Sequence, residues 1–257
     1  EFYYISEVKE IYKEMFDDVD LEEINPFSLK SMGFAVFTTY VIQNFQTAES
    51  YFTHLLTSQD VYDISTLNGK FMNLKTYYCV YIALRQNYDI FLFDKNQAIT
   101  MNRLSKLGIT KGDIKKFCDD VVEFAEEGTC FTMHSLREAG FVSELDDLGF
   151  DDYFYAGILA MDPRFMWQHV FGVIVLSLKT GRNEEIISKK SFLIYALSKY
   201  DSVDLDDFIS DCLEEYGINI SDRYEITRAI AGTDMYYDSI MAKVYRNKNC
   251  YYAEFDD

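Results

Sequence analysis

The chain has 257 residues, 49% of them hydrophobic and including 21 Tyr and 21 Phe, which suits two or three small domains and excludes a globally disordered chain. Its 43 acidic and 24 basic residues give a net charge of −19, which opposes association with nucleic-acid phosphates. No apolar run is long enough to span a membrane and no signal peptide is present, so we expect a cytoplasmic protein without a membrane partner.

The chain is predicted to begin with an amphipathic helix from Ile5 to Val19, because apolar residues recur there at helical spacing. The segment from Phe34 to Phe45 is rich enough in β-branched and aromatic residues for a strand, but its length favours a helix. A further helix is expected from Ser50 to Leu56, where aromatic and aliphatic residues alternate at helical spacing.

Turn signals follow this helix. The residues from Val61 to Ile64 suit a short strand, and Asn68-Gly69 is typical of a hairpin turn. Large apolar residues from Leu74 to Phe93 then predict a buried helix.

The stretch from Arg103 to Lys116 is the most basic in the chain. Its cations could contact phosphate, but the favoured interpretation is a pair of solvated helix faces, with Thr110 or Asp113 as the cap of a helix from Ile114 to Ala125. The basic residues are Arg103, Lys106, Lys111, Lys115 and Lys116.

The most informative stretch is Phe131 to Leu178. It predicts a helical segment ending at Gly140-Phe141, a second helix, and two β-rich runs that meet at Phe171-Gly172. Two helices followed by a hairpin are typical of the end of a winged helix. The second helix holds Phe154, Tyr155, Ile158 and Leu159, and Trp167 is expected to pack in the core from the first strand.

The polar segment from Lys179 to Lys190 contains Thr180-Gly181 and is the best candidate for a domain boundary. Beyond it we expect a short helix from Ser191 to Tyr200 and another whose end is set by Gly217. The residues from Val244 to Tyr252 then predict a strand, a turn and a strand, forming a final wing.

The spacing of the central helix recurs twice, as Tyr51-Phe52 with Leu55-Leu56 and as Tyr236-Tyr237 with Ile240-Met241. The sequence therefore predicts a mainly α fold with short β-hairpins (α+β), organised as tandem winged-helix-like or helix-turn-helix units. The predicted units are residues 1–68, 109–180 and 188–257, with a linking helical segment at 69–108.

The sequence contains no motif that would support catalysis. The three histidines are not at metal-ligand spacing, and no phosphate-binding loop, nucleophile elbow or dinucleotide fingerprint occurs, so no cofactor is expected. The five cysteines lack a Cys-x-x-Cys pair, which predicts buried reduced thiols. A divalent cation at an acidic cluster is the least favoured hypothesis, because carboxylates also collect at helix starts. The cluster comprises Glu144, Asp146, Asp147, Asp151 and Asp152.

The segments FTMHSLREAGFVSELDDLGFDDYFYAGIL and DMYYDSIMAKVYRNKNCYYAEF resemble the C-terminal region of large proteins of low-GC Gram-positive bacteria. Those proteins are labelled sigma-factor-like helix-turn-helix or RNA polymerase alpha C-terminal-like. The resemblance covers about the second half of the chain and implies an association with transcription or DNA. The start at Glu1 also leads us to expect a piece of a longer polypeptide.

Three functions are compatible with the sequence. The favoured one is a non-catalytic acidic module that binds a basic protein surface or the remainder of the parent protein. The alternative is direct nucleic-acid binding through the 103–116 stretch and the last wing, where Lys243, Arg246 and Lys248 lie. A divalent-metal-dependent enzyme is the third.

Overall fold

The structure is a computed structural model that describes residues 1–16, 20–22, 24–179 and 187–255. Short helices alternate with small antiparallel sheets of two or three strands, so the predicted α+β class is confirmed. The chain forms two compact units, one of residues 1–90 and 96–103 and the other of residues 91–95 and 104–257.

The first unit opens with a strand followed by two helices and a hairpin. The order is β1 (Phe2–Tyr4), α1 (Ile5–Met15), α2 (Pro26–Ser31), β2 (Phe34–Val36) and β3 (Tyr40–Gln43). The sheet order is β1-β3-β2, with Phe2 opposite Ile42 and Phe34 opposite Gln43. We call residues 2–43 the first group.

A helix precedes the same order of elements in residues 48–100, the second group. Its elements are α3 (Ala48–Thr57), β4 (Val61–Asp63), α4 (Ile64–Phe71), α5 (Lys75–Gln86), β5 (Ile90–Leu92) and β6 (Gln97–Thr100), and α6 (Met101–Ser105) follows. Strand β4 pairs antiparallel with β6, placing Val61 opposite Ile99.

The third group, residues 111–178, contains the longest hairpin. Its elements are α7 (Lys111–Phe124), α8 (Met133–Glu138), a 3-10 helix (Glu144–Leu148), α9 (Asp152–Leu159), β7 (Phe165–Val170) and β8 (Val173–Leu178). Phe131 forms an isolated antiparallel bridge with Leu176 of β8, so it occupies the place of a first strand. The predicted helix–helix–hairpin order of this stretch is confirmed.

The fourth group, residues 189–245, repeats the order again. Its elements are α10 (Lys189–Leu197), β9 (Ser202–Asp204), α11 (Leu205–Tyr216), α12 (Arg223–Ile230), β10 (Tyr236–Asp238) and β11 (Lys243–Tyr245), and α13 (Lys248–Ala253) follows. The sheet order is β10-β11-β9. In all four groups, therefore, the first strand or bridge pairs with the last strand.

Local chemistry accounts for several helix boundaries. The hydroxyl of Thr110 accepts a hydrogen bond from the backbone N–H of Asp113 (3.3 Å), and the Asp113 carboxylate accepts one from the N–H of Thr110 (2.8 Å), so a reciprocal capping box starts α7 as expected. At the end of α11, Gly217 takes a left-handed conformation (φ 67°) that costs glycine little, which confirms the predicted stop.

The core of the first unit is largely aromatic. Phe2 of β1 lies within 4.9 to 6.1 Å, between ring centroids, of Tyr40, Phe52 and Phe71, and Phe52 lies 5.3 Å from Tyr77. Edge-to-face and offset contacts of this kind add to the stabilisation from burying aromatic surface. The rings thus join the sheet of the first group to the helices of the second.

In the second unit, one continuous core joins the third and fourth groups. Val170 and Val175 of the β7–β8 hairpin pack in the same cluster as Phe192 of α10 and Phe208 of α11. The hydroxyl of the buried Thr132 donates a hydrogen bond to the carbonyl of Tyr216 (2.9 Å), which also links the third group to the fourth. The two groups therefore form one packed body.

Three predicted elements are wrong. Phe34 to Phe45 folds as the β2–β3 hairpin, because its β-branched and aromatic residues gain more from pairing with β1 than from forming a helix. Asn68-Gly69 lies inside α4, where the Asn68 side chain accepts a hydrogen bond from the hydroxyl of Tyr77 (2.8 Å). The supposed buried helix of Leu74 to Phe93 is only α5, since Asn87 and Tyr88 end it and β5 follows.

The C-terminal predictions also need correction. Tyr236-Tyr237 lies in β10 and Ile240-Met241 in the following turn, so the predicted third copy of the central helix is wrong. The second strand expected at Cys250 to Tyr252 is the helix α13, which starts where the Asn247 side chain accepts from the N–H of Cys250. The capping asparagine selects a helix there.

Other predictions have mixed outcomes. Val61 to Ile64 gives the expected strand, β4, followed directly by α4. Trp167 lies in a strand as expected, but it is 39% exposed and does not belong to the core. Cys79 is likewise exposed, although Cys118 and Cys212 are buried as predicted. Thr180-Gly181 and the end of the first predicted helix at Val19 lie outside the described residues.

Candidate interaction surface

The five cations of the stretch from Arg103 to Lys116 are exposed, and Lys116 borders an acidic groove. Lys116 lies 3.1 Å from the carboxylate of Glu144, which raises the pKa of the lysine. A groove of about 180 Å³ beside it is lined by three carboxylates, those of Asp113, Asp120 and Glu144, and by Lys116 as its cation. Negative charge therefore dominates the groove beside the stretch that was predicted to contact phosphate. The structure places Arg103 in α6, Lys111, Lys115 and Lys116 in α7, and Lys106 between these helices.

The three cations predicted for the last wing are distributed over a strand, a turn and a helix. Lys243 of β11 donates to both oxygens of the Glu254 carboxylate (2.7 and 2.9 Å) and is only 16% exposed. Arg246 lies 3.0 Å from a carboxylate oxygen of Asp201, and it also donates to a backbone carbonyl. Lys248 is exposed at the first turn of α13. Two of the three are thus already paired with carboxylates.

The central helix α9 is nearly inaccessible. Every residue from Phe154 to Leu159 is buried, and the hydroxyl of Tyr155 donates to the carbonyl of Leu145 (2.8 Å). A helix that reads base edges must expose its side chains to the major groove. This helix instead supplies the core of its group.

The acidic cluster forms internal contacts. Arg137 donates to Asp146 (2.8 Å) and to Asp152, while its guanidinium lies 4.8 Å from the centroid of the Tyr155 ring. Asp151 caps α9 by accepting from two backbone N–H groups, as expected from its position. Nowhere in the described ranges do three His, Cys, Asp or Glu side chains converge in an arrangement that could hold a metal ion.

A groove of about 270 Å³ lies between the third and fourth groups within the second unit. On its wall the ring nitrogen Nε2 of His134 lies 2.8 Å from the carbonyl of Glu214, near the end of α11. A Cβ atom at Gly217 would come within 3.2 Å of the His134 ring. The histidine therefore fastens α8 to the end of α11. The lining comprises Thr132, Met133, His134, Asp152, Tyr153, Ala156, Gly172, Val173, Ile174, Tyr216 and Gly217.

A basic patch that the sequence did not suggest lies between α10 and α12. Lys189, Lys190 and Arg228 line a groove of about 190 Å³ there, and Lys189 pairs with Glu225 (3.1 Å). The patch is assembled from residues of two helices that lie more than 30 positions apart in sequence, so no local pattern could have revealed it. Its positive charge makes it the best candidate in the fourth group for a site that binds an anionic partner.

Exposed apolar side chains are numerous outside the grooves. Phe27 is 84% exposed, Met32 63%, Tyr224 76% and Ile240 94%. Helix α1 has no buried residue at all. Single exposed apolar residues are normal on a protein surface, whereas a contiguous apolar patch marks an interaction site.

None of the helices in the described part of the chain combines the length and apolar character needed to cross a bilayer. Comparison with known proteins gives no assignment: no protein-family model matches the chain, and no curated protein or solved structure is similar to it. The resemblance to sigma-factor-like proteins remains a prediction.

Proposed function

We propose that the chain is a tandem array of winged-helix-like groups that serves as a non-catalytic, acidic protein-interaction or assembly module. The element order helix, strand, helix, helix, strand, strand, with pairing of the first and last strands, supports this interpretation of the fold. The proposal for function rests on the accessible chemistry, because a fold alone does not define a function.

The observation that carries the proposal is that α9 is buried and that three of the predicted cations form ion pairs with carboxylates of the same chain. In the third group the helix that would enter the major groove is buried, and Lys116, Lys243 and Arg246 are paired with carboxylates. The chain as a whole carries a net charge of −19, and its surface also exposes aromatic and aliphatic side chains. Such a surface suits a partner with basic residues and apolar pockets.

A second candidate, nucleic-acid binding, is favoured by one observation in the fourth group. Helix α12 holds the position of a DNA-reading helix and exposes Arg223, Tyr224 and Arg228, with Lys190 nearby in the basic patch. An exposed tyrosine beside cations can also stack on a base. Asp206, however, pairs with Arg223 and weakens this site.

The two candidates are separated by fluorescence anisotropy with a labelled random duplex DNA and a single-stranded RNA, at about 50 mM and about 200 mM salt. We expect no saturation by either nucleic acid at the lower salt concentration. Submillimolar binding that weakens steeply with salt, and that is lost in Lys190→Glu/Arg228→Glu, would refute the interaction module and establish nucleic-acid binding. Asp147→Lys, which adds positive charge at an exposed position in the third group, is the control for a general charge effect.

A further inference from the structure

The last strand of the third group, β8, is longer than its counterparts in the other groups. It has six residues, Val173–Leu178, whereas β3 and β6 have four and β11 has three. We call the edge of β8 that does not pair with β7 its outer edge. There the backbone of Phe131 donates to the carbonyl of Leu176 (2.9 Å) and accepts from its N–H (2.8 Å), and among the described residues Phe131 alone bridges this edge. The part of β8 nearest the turn therefore has an open outer edge.

Ile174 carries free hydrogen-bonding groups on this edge. Lys179 donates to the carbonyl of Arg164 across the hairpin (2.9 Å), and residues two apart in a strand direct their N–H and C=O to the same side, so Ile174 faces the outer edge as Leu176 does. Neither backbone group of Ile174 forms a hydrogen bond with any described residue, although the residue is only 5% exposed. Because buried backbone groups are nearly always paired in native proteins, this edge is suited to a further strand.

The groove of about 270 Å³ between the third and fourth groups lies along the open edge. Its lining includes residues 172–174 of the hairpin and residues 132–134 around the start of α8. A segment in extended conformation would enter the groove in line with Phe131 and continue the antiparallel pairing toward the turn.

The rest of the lining indicates the side chains that such a segment would carry. Met133, Ala156 and Val173 supply apolar surface. Asp152 is the one side chain with a formal charge at pH 7 among the described lining residues, and Arg137 already pairs with it. A charged side chain would lose hydration here without gaining an unpaired partner, so the groove favours an apolar segment.

We propose that the outer edge of β8 binds an extended, apolar segment of a partner protein as an added antiparallel strand. The N–H of Ile174 donates to a carbonyl of the segment, and the C=O of Ile174 accepts from the N–H of the same segment residue. In this mode of recognition, main-chain hydrogen bonds supply affinity and pockets for alternate side chains supply specificity. The inference rests on the proposed interaction module and names its partner class.

The test is fluorescence anisotropy of a labelled peptide of about eight residues, in which Val and Thr alternate and a Lys at each end keeps it soluble. One matched peptide is N-methylated at every Val and Thr, so it keeps the side chains but has no N–H to donate. Another carries Glu in place of each Val. We expect saturable binding of the parent peptide and at least about tenfold weaker binding of both matched peptides. Absence of saturable binding up to about 1 mM, or equal binding of the N-methylated peptide, overturns the proposal.

Amide hydrogen exchange locates the bound peptide on the native protein. The peptide should slow exchange of the Ile174 amide about tenfold or more. Trp167 is the control, because the same alternation places its N–H on the outer edge of β7, away from the groove. Protection of Trp167 without protection of Ile174 would show that the peptide pairs with another edge and would refute the assignment.

A pair of proline variants tests the same edge from the protein side. Ile174→Pro removes the N–H that faces the groove but none of the hydrogen bonds to β7, and it should weaken peptide binding about tenfold or more. Trp167→Pro makes the matched change on the outer edge of β7 and should leave the affinity unchanged. Circular dichroism checks the folding of both variants, and the exchange measurement decides the question on the native chain if a variant does not fold.

A second copy of the chain is the other occupant to exclude. Sedimentation equilibrium without peptide should give a monomer, and a dimer that Ile174→Pro abolishes would assign the edge to self-association and overturn the proposal. Failure here is distinct from failure of the proposed function, since peptide binding and nucleic-acid binding are measured separately.

Discussion

Replacing Asp162 by Asn should destabilise the second unit through the link between α9 and β7. The carboxylate is buried and accepts hydrogen bonds from the backbone N–H of Arg164 (2.9 Å) and from its guanidinium at Nε (2.9 Å) and Nη2 (2.7 Å). Arg164 also donates to Asp119 (2.6 Å). Asparagine keeps one acceptor oxygen, but its NH₂ group faces the Nη2 donor and loses the charge-assisted bond.

A hydrogen bond to a charged group contributes about 1.5 to 3 kcal/mol, and Asp119 still partners the arginine, so we expect a loss of about 2 kcal/mol at pH 7. Urea unfolding followed by circular dichroism measures it. The control is Asp147→Asn, which removes the same charge from an exposed side chain and should change stability by less than about 0.5 kcal/mol. Equal losses in the two variants would refute the reasoning.

The pH dependence provides a second check on the same contact. Burial opposes ionisation of Asp162, but the hydrogen bonds from Arg164 outweigh it and hold the pKa below its ordinary value of 3.8. Because the folded pKa is depressed, the stabilisation is fully present above the unfolded pKa and is lost as the pH falls through the lower folded pKa. The stability difference between wild type and Asp162→Asn should therefore shrink below about pH 4.

Three further outcomes follow from the structure. Gly217→Ala should lower the free energy of unfolding by about 1 to 3 kcal/mol. Alanine is strained in the left-handed conformation of residue 217, and its Cβ would lie 3.2 Å from the ring of His134. Urea unfolding measures the loss, and an unchanged midpoint would contradict this contact. With a thiol reagent at pH 8, Cys79 should react in the native protein, whereas Cys212 should react only on unfolding, since burial raises its pKa to about 12. The fluorescence of Trp167 should be quenched by acrylamide in the native state, and strong protection would show that the side chain is covered.

The elements that could be predicted from sequence are those whose signals are local. Apolar spacing together with Gly140 predicted α8 and α9, and Gly217 marked the end of α11 because its left-handed conformation is a property of that one residue. Asn68-Gly69 was misleading, since a contact with Tyr77 nine residues away holds it in a helix. The predicted repeat matched α3 with α9, but α3 is the first helix of the second group and α9 is the last helix of the third group.

The interaction surface was harder to predict for the same reason. Pairing of Lys243 with Glu254 depends on α13 folding back along β11, and the patch of Lys190 and Arg228 depends on α10 lying beside α12. Both arrangements arise from tertiary packing, so no spacing pattern in the sequence indicates them.

The shared core of the third and fourth groups has a consequence for how the protein opens. Since Val170 and Val175 of the hairpin pack with Phe192 of the next group, pulling either group away exposes the apolar surface of both. The hairpin and α10 should then behave as one cooperative unit, whose amide protons exchange with solvent at the same free energy of opening. A protease that cuts one of these two groups would therefore destabilise the other, so the third and fourth groups would be degraded together.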